Sequence, residues 1–223
     1  YNIYDHPDPA EVLKNLDWEQ WLGPAPKIDF NERHFWHWRC YWPYGTGQAG
    51  DLLCHEMDHV QCVLRWGIPD TCMCTGLNAY YHDDRETPDT WLANYTFEKQ
   101  NCSITFEGCM NADRQQPPEY IGKNGRLIFN GIGHDATKFV IYPDAPAFPH
   151  VGKALKPLYE FDPSKAPEWP THMNDFLNCV RTGETPKCNV DEAFIEIAAI
   201  LMSVISYHEK RQVRWDPEKE AIV

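Results

Sequence analysis

The chain has 223 residues, 43% hydrophobic and 24% charged, a composition that excludes intrinsically disordered and fibrous proteins. Its 33 acidic residues outnumber its 20 basic ones, and the resulting formal charge of −13 disfavours nucleic acid as a partner, because it repels phosphate groups. No apolar run approaches the roughly 20 residues that a membrane-spanning helix needs, so we expect no membrane partner.

The first 47 residues form an aromatic-rich segment with little regular pattern. Asp8 followed by Pro9 predicts the start of one short helix reaching Trp21, which the Gly-Pro-Ala-Pro run after Leu22 ends. Aromatic residues then recur from Phe35 to Tyr44, interleaved with histidines and arginines. Such rings either stack on flat ligands such as sugars or pack as ordinary core, and the pattern leaves both open.

The clearest helix is predicted from Gln48 to Trp66. Its apolar residues recur at i, i+4, i+7 and i+11 and make one continuous stripe, formed by Leu53, Met57, Val60 and Leu64. The opposite stripe carries the polar residues Asp51, His55, Asp58, His59 and Cys62.

Downstream, five segments are predicted to be strands: residues 71–81, 90–99, 102–110, 126–130 and 138–142. Between residues 91 and 97 the rings of Trp91, Tyr95 and Phe97 alternate with other side chains, which predicts a half-exposed sheet. Two helices, 170–182 and 190–210, follow. A block of strands between helices indicates an α+β fold, with a mostly antiparallel open sheet and helices packed on one face. We expect a single domain over residues 1–223.

The nine cysteines are an odd number and lack the spacing of a structural zinc site. We expect them to be reduced and mostly core-filling, which favours a cytoplasmic protein.

Gly45, Gly47 and Gly50 form a GxGxxG pattern at the start of the predicted helix. A dinucleotide-binding loop needs a buried strand immediately before these glycines, whereas Pro43 interrupts the residues that precede them here. We therefore expect the glycines to let the backbone turn tightly into the helix.

His55, Glu56 and His59 form an HExxH pattern on the same helix. Two imidazoles one turn apart can chelate zinc, and Glu56 could activate a water molecule bound to it, but no third ligand follows at a recognised spacing. A divalent metal held by His55 and His59 is therefore an alternative interpretation.

Asp51 and His55 lie four residues apart on the polar stripe. A carboxylate beside an imidazole orients the ring and raises its basicity, which prepares a general base. The same spacing is also typical of an ordinary surface pair.

Seven motifs, in order along the chain, match those of a known protein family. They are residues 17–26 (DWEQWLGPAP), 42–47 (WPYGTG), 50–58 (GDLLCHEMD), 86–90 (ETPDT), 122–125 (GKNG), 172–180 (HMNDFLNCV) and 213–217 (VRWDP). Together they resemble the C-terminal domain of the glucose–fructose oxidoreductase / inositol dehydrogenase / MocA (Gfo/Idh/MocA) family. The similarity runs from about Asp17 to the end of the chain.

The resemblance implies a mostly antiparallel sheet with helices on one face, and a reaction in which NAD(P) oxidises or reduces a sugar or polyol. It places the proton-transferring base at His55 and its partner at Asp51. Asp58 matches the aspartate that follows this histidine in the family, and His172 matches a helix-start histidine near the substrate. We expect Arg39, Trp42 and Tyr44 to contact the substrate as well.

The chain also departs from the pattern of the family. The family's nucleotide domain and its Glu-Lys-Pro motif do not occur in these 223 residues. We therefore expect a substrate-binding and catalytic-base domain that holds no NAD(P) by itself, with the cofactor bound only if a nucleotide domain is supplied.

Two alternative functions stay open. One is a stand-alone metal-dependent carbohydrate lyase or glycoside hydrolase on the same scaffold. The other is a non-catalytic carbohydrate-binding or assembly module. In all cases we expect a homo-oligomer formed through the sheet face, with Trp91, Tyr95 and Phe97 as contact residues.

Overall fold

The computed structural model describes residues 8–111, 117–130, 138–143, 156–165 and 171–223. Its contacts divide the chain into two compact units, one formed by Tyr1–Asn111 with Asp191–Val223 and the other by Ala112–Val190. Every strand pair among the described residues is antiparallel, and helices and strands are both well represented. The α+β prediction is confirmed, although the strands lie in two sheets rather than one.

The strands of the described residues are β1 (Thr71–Leu77), β2 (Thr90–Phe97), β3 (Cys102–Cys109), β4 (Glu119–Gly122), β5 (Gly125–Asn130), β6 (Lys138–Pro143), β7 (Tyr159–Glu160), β8 (Val213–Asp216) and β9 (Ala221–Ile222). The helices are α1 (Pro9–Leu13), α2 (Trp18–Leu22), α3 (Glu32–Trp36), α4 (Cys54–Leu64), α5 (His172–Thr182) and α6 (Val190–Glu209). The sheet of the first unit has the order β3-β2-β1-β8-β9, and that of the second has the order β4-β5-β6-β7.

The core of the first unit lies between one face of its sheet and the helices α4 and α6. Trp91, Tyr95 and Phe97 of β2 are at most 1% exposed and pack in one cluster with side chains of α4 and α6. The hydroxyl of Tyr95 donates a hydrogen bond to the backbone oxygen of Ala199 at 3.0 Å. The alternation along β2 is confirmed, but assigning these three rings to an outward contact face is wrong, because they fill the core.

The outward face of the same sheet carries Met73 and Leu92, which are exposed. Polar pairs lie beside them, among them Thr105, which donates to the Asn94 side chain at 2.8 Å. A homo-oligomer through the sheet face stays a prediction, and its contact residues would belong to this set.

The helix predicted from Gln48 starts with a π-helical turn, Ala49–Leu53, which continues directly into α4. It ends at Arg65, whose left-handed backbone (φ 51°) caps the last turn. The Gln61 side chain then bonds both the N–H and the C=O of Gly67, at 3.2 and 2.7 Å. The predicted amphipathic helix is confirmed, with Leu53 and Met57 buried on its apolar stripe.

The single helix predicted between Asp8 and Trp21 is two short helices instead. Asp8 caps α1 by accepting a hydrogen bond from the backbone of Ala10, and Asp17 caps α2 by accepting one from Gln20. A second capping aspartate begins a new helix because its side chain satisfies the free N–H groups of a first turn.

In the second unit, the predicted strands at 126–130 and 138–142 correspond to β5 and β6. The predicted helix at 170–182 corresponds to α5, which Thr171 caps by accepting from the Asn174 backbone, and the predicted start at Pro170 lies outside the described residues. β8 and β9 were not predicted from the sequence, since their short runs lack a clear alternation.

The cysteines are free thiols, and only Cys72 and Cys74 are buried, while Cys62, Cys109 and Cys188 are exposed. The prediction of mostly core-filling cysteines is therefore wrong for most of them. Among the helices that the structure describes, none is long and apolar enough to cross a membrane.

Candidate functional site

Asp51 and Arg39 meet at the start of the α4 region. The Nε of Arg39 lies 2.9 Å from the Asp51 carboxylate, and the guanidinium carbon lies 4.1 Å from the centre of the Trp38 ring. Asp51 belongs to the π-helical turn and Arg39 to a 3-10 turn, Trp38–Cys40. The structure therefore brings together two predicted site residues that are twelve positions apart in the sequence.

His55 is the second residue of α4, and its side chain is exposed. Within the described residues its imidazole makes no hydrogen bond and no ion pair, and the Asp51 carboxylate binds Arg39 instead. His55 is thus accessible to a ligand.

Asp58 lies one turn further along α4 and faces α6. Its carboxyl group shares a hydrogen bond with that of Glu196, and the Cys62 thiol lies 3.7 Å from its Oδ1. Burial and the neighbouring Asp58 and Glu192 carboxylates raise the pKa of Glu196 to about 7. The thiol of Cys62 is also less acidic than usual, because burial and Asp58 raise its pKa. This cluster places the carboxyl groups of Asp58 and Glu196 side by side between two helices.

The loop before β2 holds the aromatic segment in place. Glu86 accepts a hydrogen bond from the backbone N–H of Trp42 at 3.0 Å, and its own N–H donates to the Cys40 oxygen at 2.8 Å. The hydroxyl of Thr87 donates to the oxygen of Arg39 at 3.1 Å. The 86–90 motif therefore fixes the backbone that carries Arg39.

The same loop is stabilised by two aspartates. Arg85 binds Asp83 with two nitrogens, at 2.7 and 2.9 Å, and these bonds lower the pKa of Asp83 to about 2. Asp89 is fully buried and accepts three backbone N–H groups, from Ala79, Tyr80 and Tyr81, at 2.8–2.9 Å. Burial alone would raise the pKa of Asp89, but these hydrogen bonds lower it.

Tyr44 lines an open cleft of about 380 Å³ in the N-terminal segment. The other lining residues are Trp21, Leu22, Pro24, Ala25, Trp38 and Pro43. The hydroxyl of Tyr44 lies 3.1 Å from Nδ1 of His34. Burial and the Glu86 carboxylate raise the pKa of Tyr44, which keeps its phenol neutral.

The ring of Trp42, unlike that of Tyr44, lies away from the cleft. Its ring packs beside the core, 5.7 Å from the Tyr207 ring and 4.4 Å from the His208 ring. It is not among the described residues that line the cleft. The structure therefore shows a packing contact for Trp42 and does not bring it to Tyr44's cleft.

His172 is the first residue of α5, in the second unit, and its side chain is exposed. It stays a predicted substrate contact.

The glycine pattern at 45–50 does not fit a dinucleotide. A β-carbon on Gly47 would lie 2.7 Å from Thr87 Cβ, one on Gly50 would lie 2.3 Å from Thr46 Oγ1, and one on Gly45 would lie 3.2 Å from the Trp38 ring. The glycines thus make room for side chains of this chain and not for a pyrophosphate. The sheet beside them is antiparallel, without the βαβ unit that a dinucleotide fold requires.

The HExxH pattern gains no further ligand from the structure. His55 is exposed and His59 is half-buried, and no group of three or more metal-binding side chains forms among the described residues. A divalent metal at His55 and His59 stays a prediction.

The sequence profile of the family described as "Oxidoreductase family, C-terminal alpha/beta domain", GFO_IDH_MocA_C2, matches residues 4–223. The chain belongs to this oxidoreductase family. No match was found among curated proteins.

Solved structures similar to this Gfo/Idh/MocA C-terminal domain include the following three. An NAD-binding protein from Listeria innocua has a TM-score of 0.59 and 19% identity, over 85% of this chain and 51% of that one. The WlbA dehydrogenase from Bordetella pertussis, in complex with NADH and UDP-GlcNAcA, has a TM-score of 0.58 and 15% identity, over 81% of this chain and 50% of that one. The aldose-aldose oxidoreductase from Caulobacter crescentus, complexed with glycerol, has a TM-score of 0.58 and 13% identity, over 92% of this chain and 58% of that one. The chain spans about half the length of these proteins, and identities this low show a shared fold.

Several contacts of the site could not be predicted from the sequence. Glu196 lies on the predicted helix 190–210, but nothing in the sequence places it beside Asp58. His34 and Trp21 were visible only as members of the aromatic segment, and nothing paired His34 with Tyr44. The 86–90 motif is the sequence signal for the loop that positions Arg39. The sequence alone does not show that this loop bonds the backbone of the aromatic segment.

Proposed function

We propose that this domain binds the sugar or polyol substrate of a Gfo/Idh/MocA oxidoreductase and supplies the catalytic base, His55. The observation that supports the proposal is the exposed imidazole of His55, one turn after an Asp51 carboxylate that holds Arg39. An accessible imidazole is suited to accept a proton from a substrate hydroxyl.

Arg39 is the proposed hydroxyl-binding residue beside this base. Its guanidinium uses Nε for Asp51 and retains other N–H donors, which can bond the oxygens of a polyol. Asp51 neutralises the guanidinium charge and fixes its orientation, so the pair favours an uncharged, hydroxyl-rich substrate over an anion. In this proposal Asp51 is a positioning residue that acts through Arg39.

The reaction assigned to the domain is the proton half of alcohol oxidation. His55 accepts the hydroxyl proton while the carbon–hydrogen bond breaks. The hydride acceptor, NAD(P) in the family, would be held by a nucleotide-binding domain, since the glycine segment at 45–50 is filled by the chain's own side chains.

The test joins the chain to the nucleotide-binding domain of a family member and measures NAD(P)H formation with a panel of sugars and polyols. His55→Ala is expected to lower kcat about 10²- to 10⁴-fold, because a general base contributes that much.

His82→Ala is the matched control, since His82 is an exposed histidine on the loop before β2. It should retain wild-type kcat. A His55→Ala enzyme that turns over at the wild-type rate would show that the base lies elsewhere.

A further inference from the structure

The cleft of the N-terminal segment has the walls of a small-ligand site. Its lining residues are of apolar and aromatic types, with Trp21, Trp38 and Tyr44 supplying the rings, and polar atoms also contribute a large part of the exposed wall. The volume of about 380 Å³ falls at the lower end of the roughly 300–1,000 Å³ typical of small-molecule pockets. The cleft is therefore large enough for one ring-shaped ligand.

The rings of the cleft are held in place by neighbouring aromatic rings of the same segment. Trp21 stacks on Trp18 with ring centres 4.7 Å apart, and its other neighbours include Tyr44 at 5.1 Å. Trp18 is itself anchored, since its indole N–H donates to the oxygen of Ile28 at 2.8 Å. A rigid aromatic wall binds a flat apolar face at little entropic cost.

Polar groups at the cleft can bond hydroxyls. The Tyr44 oxygen pairs with His34 Nδ1, and in either tautomer of His34 it keeps a free lone pair. Among the described residues, the indole N–H groups of Trp21 and Trp38 have no acceptor. These donors and acceptors around apolar walls match a pyranose, which has C–H groups on its faces and hydroxyls at its rim.

Charge argues against an anionic ligand. Arg39, whose guanidinium lies over Trp38, is already paired with Asp51 at 2.9 Å, and the Lys27 ammonium bonds the backbone oxygens of Glu19 and Gly23. An anion in the cleft would have to compete with Asp51 for Arg39 and with backbone oxygens for Lys27, whereas a neutral sugar needs no cation. The overall charge of −13 also disfavours an anionic ligand, because like charges repel.

We propose that this cleft is a second sugar subsite, next to the proposed catalytic subsite at His55, so that the substrate is a disaccharide or glycoside. Arg39 connects the two, because its guanidinium contacts Trp38 of the cleft and Asp51 of the turn before His55. One ring would bind at Tyr44 and Trp38 and the next would reach Arg39 and His55. The two-ring substrate rests on the proposed function, but sugar binding in the cleft does not need it.

The experiment is calorimetric titration of the intact chain with cellobiose, maltose and lactose, each compared with methyl β-D-glucopyranoside. At least one disaccharide should bind about tenfold more tightly than the monosaccharide. Tyr44→Phe removes one hydrogen bond and keeps the ring, and it should weaken that binding about three- to tenfold. Trp38→Phe tests the wall separately.

Matched controls are Tyr80→Phe and Trp36→Phe, exposed residues outside the cleft, which should change affinity less than twofold. The proposal is overturned if no disaccharide binds more tightly than the monosaccharide, or if Tyr44→Phe binds as wild type does. Saturable binding of a polyproline peptide that Trp38→Phe abolishes, without sugar binding, would also overturn it and assign the cleft to a protein partner.

His55→Ala separates this proposal from the catalytic one. It should still bind the disaccharide more tightly than the monosaccharide, because the cleft residues and Arg39 remain. If His55→Ala leaves turnover unchanged while Tyr44→Phe weakens binding, only the base assignment fails. If turnover needs His55 but no disaccharide binds preferentially, only the second subsite fails.

Discussion

Two groups of aromatic residues in the first unit have opposite environments. Trp91, Tyr95 and Phe97 on β2 are buried beneath α4 and α6, whereas Trp21 and Tyr44 line an open cleft. The β2 rings alternate along a strand, so one face of a sheet collects them. The cleft rings belong to short helices and turns, and the loop at 83–89 fixes much of that backbone. The same residue types thus make a core in one region and a candidate binding surface in the other.

The largest expected effect distinguishes these two environments by stability. Phe97→Ala removes a ring that is 1% exposed and should lower the free energy of unfolding by about 3–5 kcal/mol, because it leaves a cavity. Phe194→Ala is the same substitution at a ring that is 49% exposed and should cost about 1 kcal/mol or less. Urea unfolding of both variants measures the difference, and equal losses would contradict the buried position of Phe97.

A smaller effect is expected where the loop meets the aromatic segment. Gly47→Ala should destabilise the protein by about 2–4 kcal/mol, because φ is 55° and the new Cβ would lie 2.7 Å from that of Thr87. Gly183→Ala also has a positive φ, 74°, but open space around its Cβ, and should cost about 1–2 kcal/mol. If thermal unfolding gave both variants the same loss, the close contact with Thr87 would be refuted.

The smallest effect concerns the pair Asp58 and Glu196, where α4 and α6 meet beside the core. The pKa of Glu196 is raised from 4.5 to about 7 in the folded state, so the folded state binds a proton that the unfolded state releases. Its contribution to stability is present below pH 4.5 and is lost as the pH rises through 7.

Glu196→Gln should therefore be more stable than wild type at pH 8, by about 1 kcal/mol after allowance for solvent screening. It should also lack the decline in stability that the wild type shows between pH 4.5 and 7. Glu19→Gln, at an exposed position on α2, should keep the wild-type pH dependence. Parallel pH profiles of wild type and Glu196→Gln would show that the two carboxyl groups do not share a proton.

Elements with a local residue pattern could be predicted from the sequence. Period-two alternation predicts β2, and the i, i+4, i+7 stripe predicts α4. The motifs also identified the family, because their order along the chain survives where overall identity to solved structures is below 20%. Buried and exposed faces follow from these periods, since side-chain direction is fixed by the backbone of each element.

The contacts between polar and charged side chains of the candidate site depend on the folded chain. Asp51 was expected to pair with His55, four residues away, and it binds Arg39 across a turn instead. Glu196 reaches Asp58 from a helix more than a hundred residues later. Hydrogen bonds and ion pairs act over a few ångströms, so they depend on the path of the chain between the two residues. That path is set by core packing and by loops such as 83–89, neither of which leaves a periodic signal in the sequence.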